Sequence, residues 1–189
     1  QLQIAAAQLQ HLVPAARRLR EQVRAAGGFV FSGTSAIVGA PLAGRAAGLF
    51  GVPGSCAPAP RLYGPTQSSG ASVAWVARLL GCRPADVPVL AAQASAGPWP
   101  AFVPYLSGER APLWNADVRG LLLGLAAEHG PAEIARAVLT GTMLSARHVL
   151  EAVEEATGER IAEIEFTGRG AGDPAWEAIA LETLGVRVR

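Results

Sequence analysis

Ile164-Glu-Phe-Thr-Gly-Arg-Gly-Ala-Gly-Asp-Pro-Ala-Trp-Glu-Ala-Ile-Ala-Leu-Glu-Thr-Leu-Gly-Val-Arg-Val188 is the stretch of this chain that decides its fold. Its first four residues alternate apolar and polar side chains, which predicts a strand, and the glycines that follow predict a turn. Asp173 is a favoured N-cap, and Pro174 suits the first position of a helix. A helix is therefore predicted from Ala175 to Leu184, and the last residues quoted begin another strand. The order strand, glycine loop, helix, strand predicts a βαβ-type unit within an α/β fold.

The glycine loop between that strand and that helix is a candidate binding site. Because Gly168, Gly170 and Gly172 have no Cβ, backbone N–H groups there can approach a ligand, and nucleotide phosphate or ribose is the usual occupant. Close packing of strand and helix is the alternative explanation for the glycines. Compared with the dinucleotide fingerprint Gly-x-Gly-x-x-Gly, the third glycine comes one residue early, and the ribose-binding acid expected further on is replaced by Arg187 to Arg189. A dinucleotide-binding oxidoreductase fragment is therefore the weaker alternative.

The rest of the chain predicts helices and short strands in alternation. Apolar residues recur at helical spacing in three stretches. The predicted helices are residues 1–25, 69–80 and 131–158. Short apolar runs predict strands at 29–31, 37–38 and 102–106. Glycine and proline interrupt the stretch from Pro41 to Pro65, which predicts loop with one short strand.

The composition excludes several classes of protein. The chain has 189 residues, a formal net charge of +1 and 16 basic residues, all of them arginine. A Walker-type P-loop needs a lysine on the phosphates, so P-loop kinases and NTPases are excluded. The small net charge selects neither nucleic acid nor a membrane as partner, and no apolar run is long enough to cross a bilayer. Cys56 and Cys82 lack metal-ligand spacing and form no disulfide framework, which predicts a cytoplasmic protein.

Four segments form an ordered set of motifs. They are Ser32-Gly-Thr-Ser35, Gly64-Pro-Thr-Gln-Ser-Ser-Gly-Ala-Ser-Val-Ala-Trp75, Phe102-Val-Pro-Tyr-Leu-Ser-Gly-Glu-Arg-Ala-Pro-Leu-Trp-Asn-Ala-Asp-Val-Arg-Gly120 and Thr167-Gly-Arg-Gly-Ala-Gly-Asp-Pro-Ala-Trp176. In this order they resemble the C-terminal lobe of the FGGY carbohydrate kinases, and the run from Glu109 to Asn115 resembles that of xylulose and gluconate kinases. The resemblance divides the chain into a helical N-terminal segment of unclear origin, residues 1–26, and a kinase lobe, residues 27–189, expected to be incomplete at both ends.

This resemblance implies an actin-like ATPase lobe of the ribonuclease H-like α/β class, with a mixed sheet flanked by helices. It also implies ATP and Mg²⁺ as cofactors, phosphorylation of a xylulose-type pentulose or gluconate, and a second, N-terminal lobe that carries most of the sugar site. Carried over by position, Gly33, Thr34 and Ser35 lie near the transferred phosphoryl group. The residues that line the adenosine and its phosphates are then Gly168, Gly170, Ala171, Gly172 and Asp173. The oligomeric state, including a homodimer, stays open.

Two departures from the family pattern bear on catalysis. No Asp-x-Gly-Thr segment is present, and no Asp precedes the Gly33 turn, because the first Asp of the chain is Asp86. Catalytic residues and metal ligands are therefore unassigned, and we expect the chain by itself to be inactive on sugars. Arg169 stands where the family usually has glycine. It either stacks on adenine, clamps a phosphate, or points away from the nucleotide.

Two further expectations can be stated. A non-catalytic interaction module that keeps the fold of the lobe is an alternative to the kinase, with residues 1–25 as its partner-binding helix. Glu109 and Arg119 lie in the loop before the long helix. We expect these two residues to form a structural ion pair rather than to take part in catalysis.

Overall fold

The computed structural model describes residues 27–53 and 60–189. The helix predicted over residues 1–25 and the thiol of Cys56 lie outside these ranges. The strands are β1 (Gly28–Ser32), β2 (Ala36–Ala40), β3 (Phe50–Val52), β4 (Arg61–Pro65), β5 (Ala101–Val103), β6 (Leu121–Leu123), β7 (Glu163–Gly168) and β8 (Arg187–Val188). The α-helices are α1 (Gly70–Leu80), α2 (Val87–Ala91), α3 (Pro131–Thr157) and α4 (Pro174–Leu184). A 3₁₀ turn, Pro84–Asp86, leads into α2.

Six strands form one mixed sheet in the order β3-β4-β2-β1-β7-β8. The neighbours from β3 to β1 are antiparallel, whereas β7 pairs parallel with β1 and β8 parallel with β7. The predicted α/β class with a mixed sheet is therefore confirmed, and β7, α4 and β8 form the predicted βαβ unit. Because β1 and β7 run parallel, their carboxyl ends lie side by side, with Ser32 opposite Gly168.

The core lies between one face of this sheet and the helices. Val30, Leu62 and Ile164 are fully buried and belong to the same apolar cluster as the buried face of α3. Burying a side chain of this size contributes roughly 1.5–3 kcal/mol. On the opposite face of the sheet, Phe31 and Ile37 keep about two fifths of their surface exposed, at 41% and 39%. The loops at the carboxyl ends of β1 and β7 thus follow strands that are packed against the core on one face of the sheet.

Some element boundaries differ from those predicted. The stretch from Pro41 to Pro65 holds two strands, β3 and β4, rather than one, and they are joined by the cross-strand pair Phe50 and Tyr63, whose ring centroids lie 5.7 Å apart. The apolar run 102–106 is a strand only as far as Val103, because Pro104 has no N–H to donate to a ladder. Within the described ranges, no helix combines the length and the apolar character that a membrane span requires.

Candidate functional site

The turn after β1, the loop after β7 and the start of α1 meet beside the carboxyl ends of β1 and β7. The turn Gly33–Ser35 follows β1, and its carbonyl groups accept the amides that begin α1: Gly70 N donates to Gly33 O at 3.0 Å and Ala71 N to Thr34 O at 2.9 Å. The loop after β7 is joined to the same place, because Arg169 N donates to Ser32 O at 2.7 Å. These hydrogen bonds join segments that are distant in sequence into one site. The sequence motifs identified each segment but not their proximity.

A cleft of about 440 Å³ opens next to this junction. One wall is apolar and is formed by Val73 of α1 with Pro84, Ala85 and Pro88, which come from the turn before α2 and from α2 itself. The other wall is the loop 169–174 together with Trp176, and Gly70 also lines the cleft. A cleft of this volume suits a small organic ligand, and its mixture of one apolar wall with one backbone-rich wall suits a nucleoside. The sequence pattern did not indicate the apolar wall, because the stretch from Pro84 to Pro100 carries no motif.

The turn Gly33–Ser35 offers hydrogen-bond donors that the described residues leave unpaired. Gly33 N is bonded to Ser35 O at 2.7 Å, which closes the turn. Within the described part of the chain, the backbone N–H groups and the hydroxyl groups of Thr34 and Ser35 have no hydrogen-bond partner. Thr34 is exposed. Such a group of unpaired amides and hydroxyls is a suitable binding place for phosphate oxygens.

Two glycines of the loop after β7 are required by packing. A Cβ at Gly168 would overlap the Ser32 carbonyl of the neighbouring strand, and a Cβ at Gly170 would overlap the ring of Trp176. Trp176 is 4% exposed and packs against Phe166. Bulk at Gly170 would therefore disturb the packing of Trp176 as well as the approach of a ligand. At Gly172, by contrast, a Cβ would meet open space.

The N-terminus of α4 is occupied by the protein's own carboxylates. Oδ1 of Asp173 accepts hydrogen bonds from Ala175 N at 3.0 Å and Trp176 N at 3.1 Å, so the predicted N-cap is confirmed. Glu177 Oε1 accepts from Gly172 N at 2.7 Å. These carboxylates satisfy amides that a phosphate would otherwise need and place negative charge at this end of the cleft. A role for Asp173 in nucleotide binding stays a prediction, and such a role would use its other oxygen.

Glu109 has a structural partner set that differs from the one expected. Its carboxylate is 4% exposed and accepts hydrogen bonds from Gln67 N, from Arg110 N at 2.7 Å and from Ser145 Oγ at 3.1 Å. The pKa of Tyr105 is raised, first by the burial of Tyr105 itself and second by the negative charge of Glu109. Arg119 instead donates to the carbonyls of Ala116 and Val118. The expected Glu109–Arg119 ion pair is therefore wrong, because the buried carboxylate holds the loop to α3 and to the segment before α1.

Metal-binding chemistry has little support in this site. The residues that the structure describes contain no group of three or more His, Cys, Asp or Glu side chains that could hold a metal ion. Asp173, the carboxylate nearest the cleft, already caps α4. A metal cage made only of side chains is therefore absent from the described residues, whereas Mg²⁺ held by nucleotide phosphates would need only one or two carboxylates.

Comparison with known proteins defines the class to which the fold and the site belong. Residues 28–189 match the FGGY family of carbohydrate kinases, C-terminal domain. Because this match covers most of the chain, the chain belongs to the FGGY family. The predicted actin-like lobe is confirmed by the solved structures that share the fold.

The individual relatives are kinases of different small carbohydrates. The chain is similar to the xylulose kinase of Escherichia coli, with 36% identity over 124 residues, covering 62% of this chain and 25% of that protein. It is also similar to the gluconokinase of Bacillus subtilis, with 34% identity over 126 residues, covering 60% of this chain and 25% of that protein. The ligand-bound xylulose kinase structure from Lactobacillus acidophilus superposes with a TM-score of 0.74 at 26% identity, covering 85% of this chain and 34% of that one. The chain thus spans about a quarter to a third of the length of these relatives.

Proposed function

We propose that this chain is the nucleotide-binding lobe of an ATP-dependent carbohydrate kinase. One observation carries the proposal: the amides and hydroxyls of Thr34 and Ser35, which are unpaired in the described residues, belong to the turn whose Gly33 carbonyl accepts the amide of Gly70, and Gly70 lines the cleft. An adenine ring fits the apolar wall of Val73, Ala85 and Pro88, and the phosphate chain then extends towards the Gly33–Ser35 turn. Phosphoryl transfer depends mainly on positioning and on charge stabilisation, and this lobe supplies donors for both.

The proposal also covers the sugar substrate and the source of the catalytic base. The relatives named above act on xylulose and gluconate, and we propose a substrate of this kind, a small pentulose or sugar acid. The acceptor hydroxyl needs a base, and the carboxylates beside the cleft, Asp173 and Glu177, already accept backbone hydrogen bonds. We therefore propose that base and sugar contacts come from a second lobe, and that Mg²⁺ enters with ATP. The same proposal places the protein in the cytoplasm, where ATP is available.

Isothermal titration of the full chain with ATP, ADP and NAD⁺ tests this proposal. We expect saturable binding of ATP and ADP, with NAD⁺ at least tenfold weaker, since the cleft has room for one nucleoside (roughly tenfold equals 1.4 kcal/mol). Absence of heat with all three ligands would favour a non-catalytic interaction module. Tighter binding of NAD⁺ would favour the dinucleotide-binding alternative.

A matched pair of variants tests whether the heat of ATP binding comes from the cleft. Ala85 is exposed and lines the apolar wall, so Ala85→Trp fills the cleft without disturbing the core. Val89 is 58% exposed and does not line the cleft, so Val89→Trp is the control. We expect Ala85→Trp to abolish ATP binding and Val89→Trp to keep it. Equal binding by both variants would mean that the nucleotide lies elsewhere.

A further inference from the structure

The side chain of Arg169 lines the cleft and has no partner among the described residues. In the described residues its guanidinium makes no hydrogen bond and no ion pair, although its backbone N–H is fixed on Ser32 O. We propose that Arg169 binds the phosphates of the nucleotide and thereby sets the direction in which the nucleotide lies. This inference rests on the proposed function, because it requires that the cleft take an adenine nucleotide.

Positive charge for the phosphates is scarce elsewhere in this site. A helix N-terminus is a common source, but the first amides of α1, those of Gly70 and Ala71, are bonded to the carbonyls of Gly33 and Thr34. A lysine is another source, and the chain has none. Among the described residues that line the cleft, Arg169 is the one cationic side chain. A polyphosphate in this cleft therefore has Arg169 as its counter-charge.

The part of the cleft next to α4 carries negative charge. Asp173 caps α4, and Glu177 holds the amide of Gly172. Phosphates placed there would meet two carboxylates and would find the helix amides already bonded. The charges therefore give the cleft a direction, with phosphates favoured at the Arg169 end and disfavoured at the α4 end.

The position of the Arg169 side chain agrees with this direction. Its Cδ would lie 3.5 Å from a Cβ built on Gly70, so the stem of the side chain passes beside the start of α1. Gly70 in turn is hydrogen-bonded to Gly33, the first residue of the turn with unpaired donors. The planar guanidinium can form two parallel hydrogen bonds to a phosphate, a geometry that lysine does not offer. Arg169 and the Gly33–Ser35 turn thus both adjoin Gly70, a residue that lines the cleft.

Stacking of Arg169 on adenine fits this arrangement less well. Stacking would place the base beside Gly70 and would direct the phosphates towards Asp173 and Glu177, where like charges meet. It would also leave the apolar wall at Val73 and Ala85 without the base. Of the three roles that the sequence left open for Arg169, the phosphate contact is the one that the charges and the apolar wall favour together.

Comparing ADP with adenosine separates these roles. Both ligands are titrated into the full chain in EDTA, so that no divalent cation screens the phosphates, with Arg169→Ala, Arg169→Lys and Arg78→Ala as variants. Arg78 is exposed on α1 and does not line the cleft, so it controls for the loss of one positive charge. For Arg169→Ala we expect the Kd for ADP to rise at least about tenfold, the usual loss for a hydrogen bond to a charged group. The Kd for adenosine should stay within about twofold.

Each outcome is decisive. Arg169→Lys should lie between wild type and Arg169→Ala for ADP, and Arg78→Ala should bind as wild type does. Equal weakening of ADP and adenosine by Arg169→Ala would overturn the inference in favour of stacking, and no change in either Kd would show that the side chain points away. In both of these cases wild type still binds ADP, so the proposed function stands. Failure of wild type to bind either ligand would overturn the proposed function and this inference together.

Discussion

At the scale of single residues, Gly170 and Gly172 have different structural roles. Both have positive φ, 87° and 81°, but a Cβ at Gly170 would overlap Trp176 whereas a Cβ at Gly172 meets open space. We predict that Gly172→Ala costs roughly 1–2 kcal/mol, the backbone strain of a left-handed residue. Gly170→Ala should cost about 1–3 kcal/mol more, because the core must also accept an extra methyl group. Urea unfolding followed by circular dichroism measures both, and equal losses would contradict the packing role of Gly170.

Glu109 is the second residue whose role can be tested on its own. Its Oε1 accepts two backbone amides and its Oε2 accepts the Ser145 hydroxyl. Glutamine can keep the first two bonds and donate its amide to the Ser145 oxygen, so we predict that Glu109→Gln costs about 1 kcal/mol. Glu109→Ala leaves these buried groups unpaired, and we predict a loss of at least about 3 kcal/mol, the sum of two or more such groups. Similar unfolding free energies for the two variants would show that the hydrogen bonds do not carry this loop.

At the scale of the element, Glu133 fixes the start of α3 and makes that helix sensitive to acid. Its carboxylate accepts from Ser95 N at 3.0 Å, Ser95 Oγ at 2.9 Å and Gly130 N at 3.0 Å. These hydrogen bonds, led by the one from the Ser95 backbone, lower the pKa of Glu133 from its usual 4.5 to about 2. A lowered pKa means that the ionised form stabilises the folded state, fully above about pH 4.5 and progressively less as the pH falls towards 2.

The stability of Glu133→Gln should therefore depend less on pH than that of wild type. We predict that the difference in unfolding free energy between the two proteins shrinks as the pH falls from about 4.5 towards 2, the interval given by the lowered pKa. Glu155 is exposed on the same helix and its side chain makes no hydrogen bond in the described residues, so Glu155→Gln is the control. Urea midpoints measured between about pH 6 and about pH 2 supply the test, because this interval covers the titration of Glu133. A difference that stays constant with pH would contradict it.

The elements that could be predicted from the sequence are those with local signals. Asp173-Pro174 marked the start of α4, Gly81 and Gly158 follow α1 and α3, and the glycine loop marked the end of β7. Only one short strand was predicted where β3 and β4 lie, because their pairing depends on partners in other strands and on the Phe50–Tyr63 contact. The apolar wall of the cleft was not predicted either, because Ala85 and Pro88 come from a connection without hydrophobic periodicity. The packing role of Gly170 depends on where Trp176 lies, which sequence spacing does not reveal.

At the scale of the whole molecule, the described residues supply half of what a sugar kinase needs. They offer phosphate donors at the Gly33–Ser35 turn, but the carboxylates beside the cleft, Asp173 and Glu177, are engaged in backbone hydrogen bonds. A missing general base costs about 10²–10⁴-fold in rate. The second lobe that we propose would supply positioning worth roughly 7–11 kcal/mol of the barrier. The chain by itself should therefore bind ATP without turning over sugar.

A coupled ADP-release assay with xylulose, ribulose, gluconate and glycerol checks that prediction. We expect ADP production to equal the blank without sugar. Sugar-dependent ADP production would mean that this chain carries a base of its own. Asp117→Asn and Asp173→Asn would then locate that base.

The central claim is that an adenine nucleotide binds in the cleft between α1 and the loop after β7, with its phosphates at the Gly33–Ser35 turn. Titration of ADP into the ¹⁵N-labelled full chain, followed by amide and indole NMR signals, tests it most directly. The account predicts that the backbone signals of Thr34, Ser35 and Ala171 and the indole signal of Trp176 shift together with one Kd, while the indole signal of Trp114 does not. Shifts confined to another cleft, such as the one lined by Arg45 and Gly51, or no shifts at all, would contradict it.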